Sequence, residues 1–123
     1  MTHVALLQLN VSDDPSANLK VTLEQLTKAA DAGATFLLTP EVTNCISSSR
    51  KHQMAVLQTQ DHDITLAAIR SFAKTRKVWV LIGSLALKTD DLDDRFANRS
   101  FLIDDQGDIV AHYVKIRMFD VTL

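Results

Sequence analysis

Residues 4–41, VALLQLNVSDDPSANLKVTLEQLTKAADAGATFLLTPE, read as a strand, a helix and a second strand in succession. Val4 to Val11 is a short, nearly continuous apolar run, the pattern of a buried strand, and it ends at the turn-forming cluster Ser12-Asp13-Asp14-Pro15. Leu19, Leu23, Leu26 and Ala30 then recur at helical spacing, with Lys20, Glu24, Lys28 and Asp31 on other faces. The ends agree with a helix, since Asp14 can cap it, Pro15 suits its first position and Gly33 stands where a left-handed glycine closes it. Ala34 to Thr39 supplies the second buried strand, and two strands joined through a helix lie parallel.

Outward from this unit, residues 42–60 are mostly polar, with a short helix expected over Arg50 to Gln58 behind Ser47-Ser48-Ser49. A longer helix is expected from Asp61, with Leu66, Ile69, Phe72 and Ala73 apolar. Its last turns carry Arg70, Lys74, Arg76 and Lys77, which complement the helix dipole. Val78 to Leu87 reads as a third buried strand, interrupted by Gly83 and Ser84. The acidic loop Thr89-Asp90-Asp91-Leu92-Asp93-Asp94 lacks the glycine and closing glutamate of a calcium loop. Ala97 to Asp104 and Asp108 to Met118 flank Asp105-Gln106-Gly107 and form a hairpin. The order β-α-β-α-β followed by an antiparallel hairpin defines an α/β fold, without repeat or linker.

Composition excludes several classes. The 123 residues suffice for one packed domain, and 13 Lys+Arg against 15 Asp+Glu leave a net charge of -2, without the basic surface that nucleic-acid binding requires. One cysteine, Cys45, closes no internal disulfide and builds no thiolate metal site. The start of the chain lacks the basic flank and apolar core of a secretory signal, and the longest apolar run is about half the ~20 residues of a membrane span. A cytoplasmic protein with neither nucleic acid nor membrane as partner is expected. His3, His52, His62 and His112 show no ligand spacing, so no metal or cofactor is expected.

Ligands in open α/β sheets collect beyond the carboxyl ends of the strands, which draws attention to Glu41, just past Phe36-Leu37-Leu38-Thr39-Pro40. Desolvation beside an apolar strand would raise its pKa towards that of a general base, while a surface or capping glutamate is the plainer reading. Lys115, between Val114 and Ile116 near the end of the last strand, is either an ordinary solvent-facing lysine or a group that stabilises an oxyanion opposite such a base. Cys45 reads as inert core, because a nucleophilic thiol needs a base or cation to lower its pKa.

Four strings carry a resemblance: Leu37-Leu38-Thr39-Pro40-Glu41, Trp79-Val80-Leu81-Ile82-Gly83-Ser84, Ala97-Asn98-Arg99-Ser100, and the run from Gly107 to Asp120 that contains Tyr113-Val114-Lys115 and Phe119-Asp120. In this order they resemble the nitrilase (carbon-nitrogen hydrolase) superfamily, over nearly the whole chain. The closing Lys-Ile-Arg-Met-Phe-Asp-Val looks most like the Nit-type ω-amidase and deaminated-glutathione amidase branch. The resemblance implies half of a four-layer α-β-β-α sandwich that pairs into homo-oligomers. It also implies a Glu-Lys-Cys triad that hydrolyses a small amide through a thioester without cofactor or metal. Glu41 matches the general base and Lys115 the oxyanion-stabilising residue.

The family's nucleophilic cysteine lies a few tens of residues beyond the lysine, and this chain ends eight residues after Lys115. Cys45 matches no catalytic position. Residues 1–123 are therefore expected to form the N-terminal part of a single carbon-nitrogen hydrolase domain, inactive alone, with an apolar sheet face left bare. The alternatives are a noncatalytic binding or assembly module of the same fold and a receiver-like signalling domain. The second lacks an aspartate at the end of its central strand, where Gly83-Ser84 stands.

Overall fold

A computed structural model describes residues 3–89 and 96–115. Five strands, β1 (Val4–Leu6), β2 (Phe36–Thr39), β3 (Trp79–Lys88), β4 (Phe96–Ile103) and β5 (Ile109–Lys115), form one sheet in the order β1-β2-β3-β4-β5. The first three strands are parallel, and β4 and β5 are added antiparallel. Three α-helices, α1 (Pro15–Asp31), α2 (Arg50–Val56) and α3 (Ile64–Arg76), fill the connections with a one-turn 3-10 helix at Gln60–His62. The expected α/β order thus holds. The acidic stretch 90–94, the end of the hairpin at Met118 and the run from Ile116 to Asp120 lie outside the described residues.

Local chemistry sets the boundaries. The Asp14 carboxylate accepts from the Ser16 and Ala17 amides, Pro15 opens α1, and Gly33 takes a φ of 101° just beyond its end. Helix α3 begins at Ile64 rather than Asp61, with Asp63 as its cap accepting from Leu66 N at 2.8 Å, because Gln60–His62 forms the short 3-10 turn first. Leu26 from α1 and Leu66, Ile69 and Ala73 from α3 pack on Leu37, Val80, Ile82, Phe101 and Ile103 of the sheet, forming a core on one face.

Two expectations need correction. The first strand is three residues long and not buried from Val4 to Val11: Val4 is 65% exposed and Leu6 69%. Its partner among the described residues, β2, runs out at Thr39 before Pro40, so pairing ceases after Leu7 N donates to Leu38 O. The innermost residues of α1 include Asn18 and Thr22, while Leu19 and Leu23 are half-buried. Asn18 earns that place by accepting from Ser12 N and donating to the carbonyls of Ser12 and Asn44, which satisfies its amide inside the fold.

The cross-strand register places Val4 and Leu6, Phe36 and Leu38, Trp79 and Leu81, Leu102, and Tyr113 on the sheet face opposite the two helices. That face is an apolar stripe crossing all five strands, with Tyr113 66% exposed. A stripe of this kind suits burial, either under further residues of a longer polypeptide or against a second copy. The 123-residue chain alone is expected to sediment as a species heavier than 13.7 kDa, and a monodisperse monomer would contradict this. Leu6→Lys should weaken that association at little cost to folding, whereas Leu37→Ala, in the covered core, should cost about 2–5 kcal/mol in denaturant titration.

Asp63 adds a pH dependence. Burial raises its pKa above the usual aspartate range, against opposing hydrogen bonds from the Leu66 and Thr65 backbone and the Asn44 side chain. A carboxyl held more protonated in the folded state contributes most at acid pH and loses that contribution as pH rises through the folded pKa. Asp63→Asn keeps a capping oxygen and removes the titration. It should unfold at higher temperature than the parent at pH 7, the difference shrinking towards pH 4.

Candidate active site

The chain leaves β2 through Thr39-Pro40-Glu41-Val42-Thr43-Asn44-Cys45, a turn that runs beside the middle of β3. There the register of β3 on β4 shifts between Ile82 and Leu85, at Gly83 and Ser84. This bulge receives the turn. Val42 N donates to Ser84 Oγ at 2.7 Å and Thr43 N donates to Ser84 O at 2.9 Å. Gly83 N donates to Thr39 Oγ1, the Thr39 and Thr43 hydroxyls sit 2.9 Å apart, and Thr43 Oγ1 donates to Pro40 O at 2.6 Å. Asn44 uses its side chain as a strand would use its backbone, donating to Ala86 O and accepting from Ala86 N, each at 2.8 Å.

Two positions show how tight the seam is. A Cβ on Gly83 would lie 2.5 Å from Thr39 O and 2.6 Å from the Pro40 carbonyl carbon, so only glycine allows the end of β2 to come this close. Val42 adopts a φ of 52°, a left-handed conformation that costs a β-branched residue about 1–2 kcal/mol and persists only where its surroundings impose it.

The turn carries Glu41, which is exposed, so the described residues do not supply the desolvation expected of a base beside an apolar strand. Lys115 ends β5, opposite Asn98 of β4, which in turn faces Ala86 of β3. Two antiparallel steps make β5 run in the same direction as β2 and β3. Glu41 and Lys115 therefore belong to the same carboxyl-end edge of the sheet. The three strand steps between β2 and β5 amount to roughly 14 Å.

Cys45 is 2% exposed, and burial, followed by the Asp13 and Asp14 carboxylates, pushes its thiol up, the opposite of what a nucleophile needs. His52 Nε2 lies 2.7 Å from Asp13 O and His62 Nδ1 lies 3.0 Å from Thr59 Oγ1. Among the described residues no group of three His, Cys, Asp or Glu side chains could hold a metal ion, and no helix is long and apolar enough to cross a membrane. Sequence reading missed Ser84, Asn44 and Asn18 as parts of this site. The signal available was the polar Gly83-Ser84 pair inside an otherwise apolar strand.

Residues 3–123 match the carbon-nitrogen hydrolase family. The deaminated glutathione amidase of Yersinia enterocolitica is 31% identical over 98% of this chain, and the nitrilase and fragile histidine triad fusion protein of Drosophila melanogaster is 29% identical over 97%. The chain spans 42% and 25% of those two proteins. Among solved structures, the NitN amidase from Nesterenkonia sp. AN1 superposes with a TM-score of 0.76 at 22% identity, over 97% of this chain and 46% of its own. A variant of that amidase carries acrylamide added to its active-site cysteine. The shared fold accounts for the two layers seen here as half of an α-β-β-α sandwich, and the chain belongs to the carbon-nitrogen hydrolase family.

Proposed function

We propose that residues 1–123 are the N-terminal part of one amidase domain and contribute Glu41 and Lys115 to its triad, the nucleophilic cysteine lying beyond Leu123. The observation that carries this reading is the tied turn. A carboxylate at a strand's carboxyl end is fixed there by a bulge in the neighbouring strand, on the sheet edge to which Lys115 also belongs. The amidase names of the relatives support the reaction class.

In this reading the substrate is a small ω-amide. Glu41 takes the proton of the incoming cysteine thiol, and the sulfur attacks the amide carbonyl carbon. Lys115 stabilises the oxyanion that forms. The carbon-nitrogen bond then breaks, Glu41 returns the proton to the departing amine, and a thioester remains. Glu41 next takes a proton from water, whose oxygen attacks the thioester. The acid leaves and the thiol is regenerated. No step calls for a metal or cofactor. Closure of the second half of the domain over the site would exclude water from around Glu41, supplying the desolvation that this half lacks. The protein works in the cytoplasm as a homo-oligomer, with no nucleic acid or membrane as partner.

In the polypeptide that includes the cysteine, Glu41→Gln should abolish hydrolysis of a small ω-amide while leaving the circular dichroism unchanged. Lys115→Ala should cost roughly 3 kcal/mol of transition-state stabilisation, about a hundredfold in kcat. Near-normal turnover by either variant would refute its role. The 123-residue chain alone should release no ammonia from such amides, and measurable release would favour a different nucleophile.

A further inference from the structure

We infer that Ser84 is the positioning residue for the Glu41 carboxylate. The inference rests on the reading of Glu41 as the base, and its ground is the destination of the backbone amides that follow that residue. The amide of Val42 goes to the Ser84 hydroxyl at 2.7 Å and the amide of Thr43 to the Ser84 carbonyl at 2.9 Å, so a single residue holds the two peptide planes that follow Glu41, one on each side of Val42. Ser84 can do this because the β3 ladder skips between Ile82 and Leu85, leaving its polar groups to face the turn. Gly83 beside it is anchored from the other side, its carbonyl accepting from Ser100 Oγ at 2.6 Å.

The Ser84 side of the seam is buried, and the Glu41 side is strained. Ser84 is 1% exposed, inside the covered part of the sheet. Val42 holds its left-handed φ of 52° directly after an exposed carboxylate. Loss of the 2.7 Å bond would leave the Thr43 amide's bond to the Ser84 carbonyl to hold Val42 there, so less would offset the cost of the left-handed well. A rotation there swings the direction in which the preceding side chain leaves the backbone. Displacement of a reacting group by about 1 Å can cost a hundredfold in rate. Ser84 itself lies beneath the turn and acts through Val42.

The test compares three variants of the whole enzyme in amide hydrolysis. Ser84→Ala is expected to lower kcat at least tenfold with KM within about twofold. Ser84→Thr, which keeps the hydroxyl, should recover most of the kcat. Ile69→Val trims the core away from the turn and should lower Tm without lowering kcat. A Ser84→Ala enzyme with unchanged kcat, or one whose loss matches that of Ile69→Val, would overturn the inference. Glu41→Gln separates the two ideas. If it retains activity, the base assignment has failed; if it is inactive while Ser84→Ala keeps full kcat, the positioning role alone has failed. Should Ser84→Ala not fold, amide exchange in the unmodified enzyme decides: Val42 N–H protected from solvent supports the inference, and rapid exchange there overturns it.

Discussion

The Glu41 end of the carboxyl-end edge depends on one seam, where the turn after β2 is fastened into the bulge of β3. Strand β2 offers four residues of ladder, too few to hold its trailing loop by pairing alone. The loop gains order from side chains instead. The Thr39 and Thr43 hydroxyls, the Ser84 hydroxyl and the Asn44 amide all bond backbone that no regular ladder reaches. Such bonds are made in a buried setting where an unmade one costs about 1–3 kcal/mol. The seam therefore behaves as a unit. Asn18 extends it into α1 by donating to Asn44 O, so the first helix, the turn and the central strand share one polar core.

That polar core explains what the sequence concealed. Asp14-Pro15, Gly33 and the apolar spacing of α1 and α3 announced themselves because capping and helical periodicity are local properties. The hairpin turn was equally plain, with Gly107 at a φ of 81°. Asn18, Thr22, Asn44 and Ser84 were not legible as interior residues, since a polar side chain is buried only when a partner distant in the chain satisfies it. Of the candidate site, Glu41 could be singled out because it follows an apolar strand and a proline, and Lys115 because it ends another. That they share one edge of the sheet became visible only through the register of three strand pairs.

The two sheet faces tell complementary stories about stability. Helices α1 and α3, joined on their outer side by the 2.7 Å Arg76–Asp31 ion pair, cover one face and create the core. The ion pair is largely solvated and contributes little beside the packing beneath it. The other face keeps its large apolar side chains in a pattern suited to a second layer, which fits a chain spanning less than half the length of its relatives.

The strand order also sets a sequence of events in time. Pairings within the β3–β4–β5 meander close short loops, such as Val80 with Ile103 and Asn98 with Lys115. Joining β2 to β3 closes a longer one, Leu37 with Val80, with two helices between. Loop closure costs about 0.6 kcal/mol more for each doubling of length, and nonlocal contacts come late on that account. The Lys115 end of the edge can thus be laid down by the meander alone. The peptide bearing Glu41 depends on β3, paired on its other side with β4, to offer its bulge as a receptacle. The carboxylate's geometry is a product of the longest of these closures, and a chain that had built its meander without it would have strands and no fixed place for Glu41.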